Sequence, residues 1–378
     1  MKVLYVTGMY SAKYGGLEKF NIELLKRDIR LSIIYNNIPQ PNTYYNDLKK
    51  FNANIYVVHG NILQRGWQVF QIIRKENPDI IHYHFGYIVY FLFIFVKIFY
   101  PKSRQVLTLH CEYSYTSYVM RLLTAICYRS LDVVISVSKG VQEKLIAKIG
   151  NSKKFIVSYL GVSKGKVLNP NLKEDLNISD NTLVLTSIGF NIDVKGFDIL
   201  AKAIKLIKEG KNEKLPSFKI IIIGLNESEN IRFQAILKEQ DIVNDFISAG
   251  IRNDVDDFLA FTDIYLQPSR TEAISLSIME ALMYGIPIIA SKVGGVPEVC
   301  VNLYNGLLVE KEDPVQLSQV IRELLMNEKL RKYLGDNSLI HANKFQLNLN
   351  ADRLILLYQN LIKNRKQCLV SFQNWRID

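Results

Sequence analysis

No two cysteines in this 378-residue chain lie close together: Cys111, Cys127, Cys300 and Cys368 form no C-x-x-C pair. That excludes a disulfide frame and a zinc ribbon, and isolated thiols of this kind read as the reduced groups of a cytoplasmic protein. Long apolar runs are missing too. The most apolar stretch, residues 85–100 (FGYIVYFLFIFVKIFY), is 16 residues long and contains Lys97, which is short for a bilayer span. No apolar leader precedes the first strand pattern at residues 2–7, so a cytoplasmic location is expected. There is no G-x-S-x-G elbow and no Ser-His-Asp order, which argues against a serine hydrolase. His82 and His84 share a strand face, but no third ligand stands at a metal-binding spacing among the five histidines. No metal and no cofactor are therefore expected. Short repeats, low-complexity tracts and recognisable nucleic-acid modules are also missing, so no nucleic-acid partner is expected.

What is present has a globular balance, 48% hydrophobic and 22% charged, and a length suited to two domains. The net charge of +11 is unevenly spread. Residues 1–163 hold 21 Lys and Arg against 9 Asp and Glu, and the remainder holds 26 against 27. Such a first half suits an anionic partner: nucleic acid, acidic headgroups or a phosphorylated acceptor. Strand patterns at residues 2–7, 31–35, 54–58, 79–84, 105–110, 132–138 and 154–160 alternate with helical ones. After polar residues 164–181, which read as a linker, a second series follows at 183–189, 218–224, 245–250, 263–267, 286–291 and 306–310. Alternation of this kind predicts an α/β fold with two Rossmann-like domains facing across a cleft, their ligands at the carboxyl ends of parallel strands. The expected domains are residues 1–163 and 164–346. The helix and basic tail of residues 347–378 are expected to return to the first. For residues 85–100 two readings stand, a buried helix of the first sheet or a helix whose aromatic side lies in a membrane interface near Lys97, Lys102 and Arg104. A helix serving partly as each is the expectation.

The chain is organised around residues 268–306, which read PSRTEAISLSIMEAL, then GIPIIA, then GGVPE. A strand at 263–267 leads to a helix expected from Leu276 to Tyr284, with Ser275 as N-cap and Gly285 as its stop. Backbone N–H groups at that helix start would suit an anion. Glu280 sits among Leu276, Ile278, Met279, Ala281 and Leu282, so it is expected to be buried and to need a partner. A ribose diol and a structural ion pair both fit on spacing.

Together these elements resemble the retaining, nucleotide-sugar-dependent glycosyltransferases of family 4, with the GT-B fold. The resemblance covers nearly the whole chain and is most specific in the E-x7-E element, Glu272 and Glu280, framed by PSR and GIPIIAS-x-VGGVPE. It continues in Gly15-Gly16-Leu17-Glu18, DIIHYH, LTLH, VISVS, Lys195-Gly196, SAGIRNDV and NGLLVE. It implies that Glu280 holds the donor's ribose hydroxyls and that Glu272 contacts the transferred sugar. Backbone N–H groups of Ile274, Ser275 and Leu276 would bind the diphosphate, Lys195 would neutralise the leaving phosphate, and His110 would lie near the reacting centre. Gly16 would approach the diphosphate, Arg252 beside Ile251 would line the nucleobase site, and Gly15, His84 and Ser138 would lie on the acceptor side.

Three positions depart from the family pattern. Phe190 stands where an arginine is common, so one diphosphate cation is either missing or supplied by Arg252 or Arg270. Ala273 replaces a glycine, and Ser163 an aspartate. The implied reaction is metal-independent transfer, with retention, from a nucleotide-diphosphate sugar to a saccharide acceptor. The basic, aromatic-rich first half points to a lipid-diphosphate-linked acceptor, with the protein peripheral at the anionic inner face of the cell membrane, in surface polysaccharide assembly. The rival readings are another nucleotide-sugar enzyme on this fold (an epimerase or a phosphorylase) and a non-catalytic partner subunit.

Overall fold

Two parallel sheets carry the chain. The computed structural model describes residues 1–7, 15–37, 43–84, 90–111, 117–210 and 215–363. It divides into two units, residues 1–162 with 346–378, and residues 163–345. The first unit runs β1 (Lys2–Thr7), α1 (Gly16–Leu25), β2 (Arg30–Tyr35), α2 (Thr43–Lys50), β3 (Asn54–Val57), α3 (Ile62–Glu76) and β4 (Ile80–His84). It continues with α4 (Tyr90–Phe99), β5 (Arg104–Leu109), α5 (Tyr118–Ser130), β6 (Val133–Ser136), α6 (Lys139–Ile149) and β7 (Phe155–Val157). The second unit runs α7 (Leu172–Asp175), β8 (Leu183–Ile188), α8 (Ile192–Lys195), α9 (Phe197–Glu209), β9 (Phe218–Ile223), α10 (Glu227–Glu239) and β10 (Phe246–Gly250). Then come α11 (Val255–Leu259), β11 (Ile264–Gln267), α12 (Leu276–Leu282), β12 (Ile288–Ser291), α13 (Val296–Val299), β13 (Gly306–Val309), α14 (Pro314–Met326) and α15 (Glu328–Ala342). The last helix, α16 (Leu347–Lys363), belongs to the first unit.

The strand orders are β3-β2-β1-β4-β5-β6-β7 and β10-β9-β8-β11-β12-β13, parallel throughout. Strands such as IIHYH and FKIIII read as near-continuous apolar runs because helices cover both faces of a parallel sheet. In each unit the first strand is interior. The chain builds outward on one side and then returns to build on the other. The order therefore reverses between β1 and β4 and again between β8 and β11. Loops leaving two such neighbouring strands diverge to opposite faces and leave a crevice at their carboxyl ends.

Helix α16 packs on α1, with Leu354, Leu357 and Leu361 in the same core as Phe20 and Leu24. The first unit thus gathers 26 Lys and Arg against 11 Asp and Glu, and the second 21 against 25. The basic excess is wholly the first unit's.

Residues 164–181 are not a linker. Leu172 and Ile178 are buried in a core cluster with Val184, Ile221 and Phe258. The carboxylates of Asp256 and Asp257 accept from the backbone N–H groups of Gly165, Leu168 and Asn169. Composition hid this because two apolar residues and two distant carboxylates suffice to tie down a polar segment. In the stretch 85–100, residues 85–89 lie outside the described residues. Helix α4 buries Phe93 and Val96 and exposes Phe95, Ile98 and Phe99.

Candidate active site

The second unit's reversal point holds an ion pair. Loop residues after β8 end in the single turn α8, capped by the Asn191 side chain, and present Lys195. The loop after β11 presents Glu272. Lys195 Nζ donates to Glu272 Oε1 at 2.6 Å, with the two side chains only 13% and 10% exposed. The same oxygen accepts from Gln267 Nε2 at 2.8 Å and from Ser269 Oγ at 2.9 Å. All three donors fall on Oε1 and none of them on Oε2. Gln267 is itself held, its Oε1 accepting from Tyr265 OH at 2.9 Å and Ser277 Oγ at 3.2 Å. Charge-assisted contacts of this kind are the stronger ones. Here they fix the carboxylate from the end of the strand, the loop and the following helix at once.

Two glycines make this arrangement possible. Gly196 has φ +68°, and a Cβ there would lie 2.0 Å from the Pro268 carbonyl oxygen. Gly294 has φ +50°, and its Cβ would lie 1.6 Å from the carbonyl oxygen of Glu272. The loop carrying Glu272 is clasped between them, which gives the K-G and V-G-G sequences a structural reason.

Helix α12 begins at Leu276 under the Ser275 cap, whose Oγ accepts from Ile278 N at 3.3 Å. Ile274 and Ser275 are buried and Leu276 is partly so. Glu280 is half-buried rather than buried, while Met279 and Ala281 beside it are fully covered.

Arg270 is not available as the replacement cation. Its guanidinium makes two 2.8 Å bonds to Asp198 and one of 3.1 Å to Glu312. Those carboxylates push its pKa up, the Asp198 bonds first. Arg252 is matched to Asp254 and lies over the Phe258 ring. It borders an open pocket with Leu168, Ile251, Asn253 and Asp254. Phe190 is 62% exposed, so the position where the arginine was expected carries an apolar side chain in solvent.

The first unit's reversal point is built around histidines. His84 ends β4 and His110 follows β5. His84 Nδ1 and His110 Nε2 are 2.8 Å apart, and the rings of His82 and His84 stack at 4.2 Å. His82 bonds to Thr108 Oγ1 at 2.7 Å and to Tyr358 OH, and Tyr358 OH lies 3.2 Å from Tyr5 OH. Both ring nitrogens of His82 are therefore engaged within the fold. Burial lowers His110 to about 4 and takes His82 and His84 well below their ordinary value, so all three are neutral at pH 7.

His84 Nε2 and Asn21 Oδ1 are buried with no hydrogen-bond partner. Both residues line one small cavity with Thr7, Glu18, Tyr35 and Tyr44. Burial raises the Glu18 carboxyl, which accepts from the backbone N–H of Gly15 at 3.1 Å. Gly15 is the N-cap of α1 with an ordinary φ of −92°, and Gly16 is the first helical residue. Ser138 is fully buried and caps α6, accepting from Val141 N at 3.1 Å. Among the described residues no cluster of three or more His, Cys, Asp or Glu is arranged to hold a metal ion.

Gln267, Ser269 and Gly294 hold Glu272, and Tyr358 reaches the histidines; sequence reasoning missed all four roles. Ser269 and Gly294 lay inside the quoted motifs, so their signal was present. Tyr358 stands 276 residues from His82, and no local pattern announces it.

The family model for Glycosyltransferase Family 4 matches residues 15–165, and the model for Glycosyl transferases group 1 matches residues 169–341. An uncharacterized glycosyltransferase of Methanocaldococcus jannaschii is 29% identical over 359 residues, covering 91% of this chain and 94% of that one. A diacetylbacillosaminyl-diphospho-undecaprenol N-acetylgalactosaminyltransferase of Campylobacter jejuni is 36% identical over 115 residues, 30% of this chain and 31% of its own length. Among solved structures, Anabaena HepE in complex with UDP is similar with a TM-score of 0.78 at 20% identity, covering 95% of this chain and all of that one. The last likeness is one of fold: two Rossmann-like units of the GT-B type.

Proposed function

The chain belongs to the group 1 glycosyltransferases, and from that premise we propose that it transfers a sugar, with retention and without a metal, from a nucleotide-diphosphate donor to a lipid-diphosphate-linked saccharide. The observation that carries the proposal is the Lys195–Glu272 contact at the β8/β11 reversal point. Lys195 there is a partly buried cation whose counter-charge already stands beside it. A donor diphosphate brings two negative phosphates to Lys195 and the backbone N–H groups of residues 274–276. Lys195 then stabilises charge that grows on the leaving diphosphate as the glycosidic bond breaks. Glu272, still held by Gln267 and Ser269 through Oε1, keeps Oε2 for a hydroxyl of the transferred sugar. Glu280 receives the ribose hydroxyls, Arg252 and Ile251 the nucleobase, and His110 serves the reacting sugar as a neutral imidazole. With Phe190 in place of an arginine and Arg270 tied to Asp198, Lys195 carries most of the cationic work.

UDP in the similar HepE structure supports the donor class. The name of the Campylobacter relative, whose substrate is an undecaprenol diphosphate, supports a lipid-linked acceptor. Surface polysaccharide assembly at the inner face of the membrane is the setting such an acceptor implies. A thermal-shift screen across nucleotide sugars identifies the donor, since a ligand of the folded state raises the melting point. Transfer is then followed by NMR with a lipid-diphosphate saccharide. The expected product keeps the donor's anomeric configuration and forms in EDTA. An altered sugar without acceptor, or turnover that requires free phosphate, would instead identify an epimerase or a phosphorylase.

A further inference from the structure

The amide of Gln267 closes β11 with hydroxyls on one side and a carboxylate on the other. Glu272, paired with Lys195, can only accept hydrogen bonds, so the NH2 group of Gln267 has to face it, and does so at 2.8 Å. The second N–H of that group goes to Ser269 Oγ at 2.7 Å, and Ser269 donates its own proton to the same Glu272 oxygen at 2.9 Å. On the far side the Gln267 carbonyl accepts from Tyr265 OH at 2.9 Å and from Ser277 Oγ at 3.2 Å. Tyr265, Gln267 and Ser269 are all buried. Burial pushes the Tyr265 phenol up, so it keeps the proton it donates. The hydrogen bonds therefore run one way, from Tyr265 through Gln267 to Glu272 Oε1. An amide turned over would set its carbonyl against the carboxylate and leave the phenol unpaired, a costly state in a buried network.

Resting on the donor-site reading above, we propose that Gln267, oriented by Tyr265, is a positioning residue that decides which hydroxyl of the transferred sugar Glu272 accepts. Lys195 also holds Glu272, yet it is the one member of the set that a diphosphate recruits. Its ammonium is a compact point charge on a flexible stem, able to turn from one anion to another. Once Lys195 serves the phosphates, the direction of the carboxylate depends on Gln267 and Ser269. Ser269 is not independent, because the N–H it accepts from Gln267 aims its own proton at Glu272. With Oε1 filled by these two donors, Oε2 points to one place, and the sugar has to bring a hydroxyl there. A site built to pair with a substrate hydroxyl rejects the analogue lacking it far better than an apolar pocket does.

The test sets sugar selectivity against stability. Its probes are the nucleotide sugar that gives the largest thermal shift, the monodeoxy analogues of that sugar nucleotide, and its free nucleoside diphosphate. Each is titrated calorimetrically into the full chain. The wild type should bind one monodeoxy analogue about 30-fold more weakly than the parent, the effect of losing one hydrogen bond to a charged group. In Gln267→Leu that ratio should fall to about threefold or less, while the nucleoside diphosphate binds as in the wild type. Tyr265→Phe keeps the amide but frees it to turn over, so its ratio should lie between the two.

Gln267→Leu also strands the Tyr265 hydroxyl, so its melting point should fall. Tyr265→Phe/Gln267→Leu removes both partners and should recover most of the melting point without recovering the selectivity. A merely structural role for Gln267 predicts that selectivity returns with stability. That result would overturn the proposal, as would an undiminished ratio in the variants or equal binding of every monodeoxy analogue by the wild type. A wild type that binds no nucleotide sugar would remove the donor-site reading and this proposal with it. Binding with unaltered selectivity in the variants would remove this proposal alone.

Discussion

At the β8/β11 reversal of the second unit, a lysine and a glutamate 77 residues apart meet at 2.6 Å. At the β1/β4 reversal of the first, three imidazoles, two of them buried, lean on one another and on two tyrosines. The wiring of the two sheets is alike, and the fold leaves a crevice in the same place in each. What differs is charge. The second unit is slightly acidic overall and sets a Lys195–Glu272 ion pair at its crevice; the first is strongly basic overall yet lines its crevice with neutral imidazoles and one carboxyl, Glu18. Site chemistry follows local burial and pairing, and the sign of a whole unit does not foretell it.

The difference can be broken most severely at Gly294. Gly294→Val puts side-chain atoms where the Glu272 carbonyl oxygen stands. It should cost roughly 3 kcal/mol or more of second-unit stability and abolish transfer, read by thermal melting and turnover. Lys195→Ala should come next, with about 10³-fold loss in kcat and a melting curve far less changed than that of Gly294→Val, because Gln267 and Ser269 still hold Glu272.

Acid should act chiefly on the first unit in a defined window, with His341 of the second unit, lowered by burial, adding in the same direction. His110 lies near 4 when folded against about 6.5 when unfolded. The unfolded chain then binds more protons between those values, so stability is full above about pH 6.5 and is lost as pH falls toward 4. His82 and His84 add in the same direction, while Glu18, raised by burial, offsets part of it. The expected loss is on the order of 3 kcal/mol. Trp67 stands on α3 of the first unit, so urea unfolding followed by its fluorescence at pH 7 and pH 5 reads that unit. The smallest effect should be a gain: Phe190→Arg returns a cation to an exposed position and should lower KM for the donor by up to about tenfold.

Much of this was legible beforehand. Thirteen strand patterns and their alternation follow from short apolar runs separated by turn residues, and each becomes a strand. The convergence of Lys195 and Glu272 was implied by resemblance and then stands in the geometry. Three readings were corrected. Residues 164–181 are part of the second unit's core, since partners 80 or more residues away hold them. Arg270 is bound to Asp198, which sequence spacing cannot foresee. Glu280 is only half-buried, because periodicity reports which residues are apolar and not how far the cover extends.

The most direct test is calorimetric titration of a nucleoside diphosphate into the wild type, Lys195→Ala and His110→Ala. If the cation at the second unit's reversal point holds the diphosphate, Lys195→Ala should weaken binding about 100-fold and His110→Ala should leave it unchanged. Undiminished affinity in Lys195→Ala, or loss of affinity in His110→Ala, would contradict the account.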